Sequence, residues 1–221
     1  MKKNELKIPS FKREDCKIGI VHLGAGNFHR AHQALYINDY LNQTDDLNWG
    51  ICAINLRKED QKNFDYLTNR NGKYILKTIS TAGDIKYNEI HSIQNLIDWS
   101  KDKEEAENVL TNPSVEIVTM TVTESGYYIS QNNKLNLNLK IVKDNIEKKE
   151  STIIFSYLLN ALKKRMELID KEITLLCCDN IRENGLMLEN ALKNYVENSK
   201  EFELLEWINK KVSFPSCVVD R

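Results

Sequence analysis

The sequence predicts an α/β fold built on a doubly wound, mostly parallel sheet. Short apolar runs typical of buried parallel strands alternate along the chain with longer amphipathic segments typical of helices. The first apolar run, residues 18–23, leads through two closely spaced glycines directly into a helical segment. A β-hairpin is expected between two parallel units, because residues 74–80 and 86–93 alternate in polarity around the sequence Ala82-Gly83-Asp84.

The remaining elements follow from their local patterns. Further strands are predicted at residues 49–56, 115–122 and 173–178, which are apolar with few polar interruptions. Helices are predicted at residues 28–41, 57–68, 152–166, 183–196 and 202–208. Residues 94–110 are predicted to form one or two helices that stop before Asn112-Pro113. The polar, asparagine-rich residues 130–139 are predicted to form a loop.

The glycine turn is the most informative local feature. Gly24 and Gly26 allow a tight turn and the close approach of a phosphate, and a helix start directs free N–H groups at an anion. The turn therefore predicts a Rossmann-like pyrophosphate site, although His29 stands where the usual third small residue lies. The candidate cofactor-binding residues here are Gly24, Ala25, Gly26, Asn27, Phe28, His29 and Arg30. His29 and Arg30 are expected to border the pyrophosphate; the alternative is that both are ordinary helix-surface residues.

Polar residues after the second parallel strand extend this candidate site. The carboxylate of Asp60 is predicted to bind the adenosine ribose hydroxyls and to repel a 2′-phosphate, which favours NAD. Glu59 is an alternative for that role, and Arg57 would instead tolerate a phosphate. A further alternative is that Asp60 is a solvated carboxylate at a helix start.

A third group of polar residues ends the strand at residues 115–122. Thr121, Thr123 and Glu124 lie where a nicotinamide ring would lie if the pyrophosphate is at the glycine turn. The alternative is that their hydroxyls only satisfy hydrogen bonds at the end of the sheet. Because ligands of doubly wound sheets collect at the carboxyl ends of the strands, all these residues are expected to line one crevice.

Composition excludes several classes of partner. The formal net charge is −1, with 31 basic and 32 acidic residues interspersed, so neither nucleic acid nor an anionic membrane is indicated. No apolar run has the length of a membrane span or the pattern of a signal peptide, which predicts a cytoplasmic protein. His29 and His32 are spaced like metal ligands on a helix, but no third ligand is evident, so no metal site is expected.

Five segments, in this order, closely resemble the mannitol dehydrogenase family of long-chain polyol and uronate dehydrogenases. They are residues 24–33 (GAGNFHRAHQ), 49–52 (WGIC), 121–127 (TVTESGY), 178–185 (CDNIRENG) and 214–221 (FPSCVVDR). The resemblance implies an N-terminal extension at residues 1–16 and an NAD-binding domain at residues 17–221. It also implies that the family's helical second domain lies outside this chain.

The resemblance further implies an oxidoreductase that transfers a hydride between nicotinamide and a ketose or keto-uronate. The motif at residues 178–185 favours fructuronate reductase, with mannitol 2-dehydrogenase as the alternative. Asn180 matches the family's asparagine that polarises the reacting carbonyl, although an asparagine there would also cap the following helix. The family's general acid and base is a lysine of the second domain, acting without zinc, so this chain alone is expected to be catalytically incomplete.

Two other classes of function remain open at this point. One is a nucleotide-responsive binding module without catalysis. The other is a methyltransferase, whose glycine loop also follows a first strand. Methyltransferases commonly have an acidic residue before that loop, whereas here His22 and Leu23 precede it. A small sugar acid or polyol remains the expected substrate.

Overall fold

A six-stranded parallel sheet forms the centre of the molecule, for which a computed structural model describes residues 6–130 and 134–219. Its strands are β2 (Ile18–Leu23), β3 (Gly50–Asn55), β6 (Ile93–Asp98), β7 (Ile117–Met120), β8 (Ile173–Cys177) and β9 (Val212–Ser213). They lie in the order β6-β3-β2-β7-β8-β9. Because β2 pairs with β3 on one side and with β7 on the other, the strand order reverses beside β2. This confirms the predicted doubly wound sheet.

A second, three-stranded sheet contains the predicted hairpin. Strands β4 (Tyr74–Ile79) and β5 (Ile85–Ile90) pair antiparallel across the turn that contains Gly83. Strand β1 (Leu6–Lys7), within the segment predicted as an N-terminal extension, pairs parallel to β5. The Arg13 guanidinium donates to the backbone oxygens of Asn71, before β4, and Ile93, at the start of β6, each at 2.6 Å. The described part of the extension is thus joined to the hairpin sheet by β1 and to the edge of the parallel sheet by Arg13.

Eight helices surround the two sheets in the described residues. They are α1 (Asn27–Ala31), α2 (Gln33–Gln43), α3 (Gln61–Thr68), α4 (Lys103–Asn108), α5 (Lys140–Glu147), α6 (Ile154–Leu168), α7 (Asn184–Asn198) and α8 (Phe202–Lys211). Within residues 6–130 and 134–219, no helix is long and apolar enough to cross a membrane.

The central strands are buried on both faces. On β2, Val21 and Leu23 belong to a large cluster formed with α4, α6, α7 and α8. Ile20, on the opposite face, packs in a smaller cluster with residues of α2, α3 and the hairpin. Since successive side chains of a strand point to opposite faces, this division explains why the strands are almost continuously apolar in sequence.

The prediction of helix for residues 94–110 was wrong over its first part. Residues 93–98 form strand β6 at the edge of the parallel sheet, and α4 begins only at Lys103. An edge strand has one neighbour and carries polar side chains such as Gln94 and Asn95, so it lacks the apolar run that identified the central strands.

One further prediction needs correction. The helix expected at residues 28–41 is divided at His32, whose backbone (φ −122°, ψ −80°) is not helical. Apolar spacing continues across this single residue, so periodicity did not reveal the break. The predicted loop at residues 130–139 is a loop in its described part, with an isolated bridge from Leu135 to Ile129, and residues 131–133 lie outside the described residues. The helix α5 was not predicted.

Candidate functional site

A crevice of about 490 Å³ opens at the carboxyl ends of β2, β3, β7 and β8. It lies where the strand order reverses, which is where doubly wound sheets bind their ligands. From the glycine turn and α1 it is lined by Gly24, Gly26, Asn27 and Phe28. The other strand ends contribute Arg57, Asp60, Thr121, Thr123 and Asn180. Nine of the thirteen candidate site residues therefore lie together around one space.

The two glycines of the turn serve different purposes. Gly24 has φ = 95°, and a Cβ atom there would lie 2.6 Å from the Thr121 carbonyl oxygen. The fold therefore requires glycine at this position, whether or not a ligand binds. A Cβ atom on Gly26 would meet no protein atom within 4 Å, and Gly26 borders the crevice. The missing side chain at Gly26 thus leaves open space at the place where a phosphate is expected.

A stacked pair of histidines lies beneath the glycine turn. The rings of His22 and His29 are fully buried and nearly parallel, with centroids 3.6 Å apart. Nε2 of His22 donates to the Gly24 carbonyl oxygen at 2.6 Å, and its Nδ1 lies 2.7 Å from the Thr119 hydroxyl. Burial lowers the pKa of His29 to about 4 and also lowers the pKa of His22 well below its usual value. Both rings are therefore neutral at pH 7.

This burial changes the expectation for His29 and Arg30. The His29 ring has no exposed surface and makes its hydrogen bond to Gln33, at 2.9 Å. Arg30 donates to the side chain of Asn27 and lies outside the crevice wall. His32 instead borders the crevice, with its ring stacked on Phe28 at 4.6 Å between centroids. In the part of the chain that the structure describes, no three His, Cys, Asp or Glu residues are grouped to hold a metal ion.

At the end of β3, Arg57 and Asp60 form an ion pair. Nε and Nη2 of Arg57 lie 3.0 and 2.9 Å from Oδ2 of Asp60, and both side chains are about half exposed. Asp60 had been predicted to bind the cofactor ribose and Arg57 to tolerate a 2′-phosphate instead. A second crevice of about 510 Å³, between the ends of β3 and β6, shares Arg57 with the first and is also lined by Leu56, Glu59, Trp99 and Tyr128.

The turn after β7 is held in an unusual backbone conformation. Thr123 has φ = 65° and ψ = 158°, a region that costs a residue with a side chain about 1–3 kcal/mol. Both Thr121 and Thr123 border the crevice, and the Thr121 hydroxyl donates to the Gly24 carbonyl oxygen at 3.2 Å. Glu124 is exposed in the 3₁₀ turn that follows and does not line the crevice. Ala25 packs against the smaller core cluster.

Asn180 follows β8 and is exposed at the crevice. Helix α7 begins four residues later with Glu183 at its N-cap, so Asn180 does not cap that helix. No hydrogen bond joins its side-chain amide to another residue within 6–130 or 134–219, which leaves the amide free to donate to a ligand.

Sequence reasoning missed three lining residues, His32, Cys178 and Val219. His32 had been considered only as a metal ligand, and no local signal marks Val219. Asp179 was expected at the crevice beside Asn180, but the sequence assigned it no role. Val219 reaches the crevice because Asn184, buried at the start of α7, exchanges two hydrogen bonds of 3.0 Å with the backbone of Cys217.

Two enzymes are similar to this chain along nearly its whole length. D-arabinitol 4-dehydrogenase of Klebsiella pneumoniae is 32% identical over 201 residues, which cover 91% of this chain and 44% of that protein. Mannitol 2-dehydrogenase of Pyricularia oryzae is 32% identical over 222 residues, covering 98% of this chain and 43% of that protein. The chain thus spans less than half the length of these relatives.

A solved structure and a family model agree with these similarities. Mannitol 2-dehydrogenase of Pseudomonas fluorescens, in a ternary complex with NAD and D-mannitol, matches with a TM-score of 0.88 and 31% identity. The match covers 95% of this chain and 43% of that one. The family model for the mannitol dehydrogenase Rossmann domain matches residues 18–221. The chain therefore belongs to the mannitol dehydrogenase family, and residues 18–221 form its Rossmann domain.

Proposed function

We propose that this chain is the NAD-binding domain of a dehydrogenase that interconverts a ketose or keto-uronate with its polyol or hexonate. The observation that carries this proposal is the open space at Gly26. It lies in a crevice at the strand-order reversal, and a Cβ atom at this position would meet no protein atom within 4 Å. Bound NAD supplies or accepts the hydride, and the residues of this chain hold and orient it.

The glycine turn suits the pyrophosphate. Gly26 and Asn27 border the crevice, and no side chain obstructs the backbone at Gly26. The histidine pair is neutral, and His22 donates to the Gly24 carbonyl oxygen. His29, which was expected to border the pyrophosphate, is buried against His22, and Arg30 lies outside the crevice lining.

The adenosine half of the cofactor is assigned to the second crevice. Arg57 borders both crevices, so a ligand that passes from the glycine turn to the ends of β3 and β6 crosses it. Asp60 accepts hydrogen bonds from Arg57 through Oδ2, which leaves Oδ1 for a ribose hydroxyl. Tyr128, which is partly exposed at this crevice, offers apolar surface to an adenine ring.

The nicotinamide half is assigned to the ends of β7 and β8. There Thr121, Thr123 and Asn180 border the crevice together. An amide N–H that donates to a substrate carbonyl oxygen stabilises the negative charge that develops as hydride arrives at the carbon. This is the catalytic role that we propose for Asn180.

The substrate is a small polyol, ketose or sugar acid. D-Fructuronate, reduced to D-mannonate, is the first candidate, on the resemblance of residues 178–185 to fructuronate reductases. D-Mannitol, oxidised to D-fructose, is the second candidate, and the names of the relatives favour it.

Two measurements test the proposal. Fluorescence titration of the 221-residue chain should show saturable binding of NADH and no binding of S-adenosylmethionine; the reverse result would make the chain a methyltransferase-like domain. NADH oxidation with fructuronate, tagaturonate and fructose should then be followed for the chain extended by the second domain of a family member. NADH binding without turnover of any sugar by the extended protein would favour the non-catalytic binding module instead.

A further inference from the structure

The Asp179 carboxylate connects the ends of β7 and β8. Its Oδ2 accepts a hydrogen bond from the Val122 backbone N–H at 3.0 Å, and its Oδ1 accepts one from the Thr123 N–H at 3.3 Å. The Tyr127 hydroxyl donates to Oδ2 at 2.7 Å. All three donors belong to the turn that follows β7. The donors of this turn thus bind the Asp179 carboxylate as an anion-binding site binds its ligand.

The turn needs this support because of its backbone conformation. Thr123 has a positive φ of 65°, which a residue with a Cβ atom rarely adopts unless its surroundings hold it there. Its N–H group and that of Val122 lie beyond the last paired residue of β7 and receive their partner from Asp179. Without the carboxylate, neither of these hydrogen bonds exists, and the turn at Thr123 keeps only its own local contacts, such as the one from the Gly126 N–H at 2.9 Å.

The position of Asp179 is fixed by hydrogen bonds to its backbone and by the buried side chain of Tyr127. Its carbonyl oxygen accepts from the Ile181 N–H at 2.8 Å and from the Asn184 side chain at 3.2 Å. The Tyr127 ring is fully buried, and burial together with the neighbouring Cys177 and Asp179 raises the pKa of its hydroxyl, so it stays a proton donor. The carboxylate is therefore fixed from its own strand and from the core.

We propose that Asp179 is a positioning residue for the nicotinamide end of the site. It sets the shape of residues 121–127, so that Thr121 and Thr123 face the crevice beside Asn180, the next residue along its own strand. This inference rests on the proposed binding of a nicotinamide dinucleotide. The carboxylate acts through the turn that it shapes, because its two oxygens already accept hydrogen bonds from Val122, Thr123 and Tyr127.

The test compares a whole cofactor with a fragment of it. ADP-ribose contains the adenosine and pyrophosphate but lacks the nicotinamide. Asp179→Ala is expected to weaken NADH binding about tenfold and to change ADP-ribose binding less than about threefold. Asp179→Asn, which keeps one accepting oxygen, should lie between Ala and the native chain. Glu183→Ala removes an exposed carboxylate from the same loop and should alter neither affinity.

The possible outcomes separate this inference from its premise. Equal losses of NADH and ADP-ribose binding by a folded Asp179 variant would mean a general structural role and overturn the inference. Unchanged NADH binding would also overturn it. Failure of the native chain to bind NADH would instead refute the proposed function.

A second variant covers the case in which Asp179→Ala does not fold. Tyr127→Phe keeps the buried ring and removes only the hydrogen bond of 2.7 Å to Asp179. We expect about threefold weaker NADH binding and unchanged ADP-ribose binding. No selective change in this folded variant would contradict the inference.

Discussion

Two turns meet at the crevice, and they reach their shapes by different means. The turn after β2 has a positive φ at Gly24, where any side chain would strike the Thr121 carbonyl oxygen. The turn after β7 has a positive φ at Thr123, which does carry a side chain. Its hydrogen bonds come from Asp179, 56 residues further along the chain. The first shape depends on a local residue and the second on a distant partner.

The difference shows which parts of a site can be found from sequence. A glycine marks an unusual backbone conformation at the position where it occurs, so the turn at Gly24 and Gly26 was found and correctly placed between a strand and a helix. A strained threonine gives no such signal. The partner of Thr123 was therefore missed, although Asp179 stands directly before the predicted catalytic residue.

Gly24 should tolerate no substitution. Gly24→Ala places a Cβ atom 2.6 Å from a backbone oxygen that is fixed in β7's turn, in a backbone region that alanine avoids. We expect the free energy of unfolding to fall by about 3 kcal/mol. Urea denaturation at pH 7 measures this change. Gly26→Ala is the matched control and should unfold like the native chain, because its Cβ atom meets nothing.

The histidines beneath the first turn should make the stability of the protein depend on pH. Below the first turn lie the neutral rings of His22 and His29, and the pKa of His29 is lowered to about 4. The unfolded chain binds protons below about pH 6.5 while the folded chain does not, so stability is lost as pH falls from 6.5 towards 4. From pH 7 to pH 5 this one ring should lower the free energy of unfolding by about 2 kcal/mol.

Denaturation midpoints at the two pH values test this expectation. A His29→Gln variant lacks the titrating ring and should lose about 2 kcal/mol less than the native chain over the same range. Equal losses in both proteins would mean that the buried His29 ring does not stay neutral as the pH falls.

Gly26→Val separates the role of the second glycine from that of the first. The branched side chain would occupy open crevice and leave the fold intact, but it would stand where the pyrophosphate is proposed to lie. NADH affinity should fall at least about tenfold, or about 1.4 kcal/mol. Fluorescence titration measures the affinity and circular dichroism the fold. If a folded variant kept the native NADH affinity, the pyrophosphate could not lie at this turn as proposed.

Other elements also differ in how well the sequence predicts them. The central strands were found because burial on both faces makes them continuously apolar, whereas β6 at the sheet edge was taken for helix. His29 was expected to border the pyrophosphate from the helix start or to lie on the helix surface, but its ring is buried against the His22 ring from β2. The local patterns identified the elements and strand ends, and contacts between distant segments decided which side chains face the crevice.

The smallest expected effect concerns cofactor choice at the end of β3. Asp60→Ser removes a carboxylate that would repel a 2′-phosphate, and it frees Arg57, which Asp60 now holds at 2.9 to 3.0 Å. The released guanidinium would then be available to pair with phosphate oxygens. Because both side chains are about half exposed, solvent screens these charges, and the ratio of NADPH to NADH affinity should rise only about fivefold. Parallel titrations with the two cofactors give the ratio. Glu59→Gln is the matched control: a ratio that changes in this variant and not in Asp60→Ser would assign the ribose to Glu59, on the second crevice.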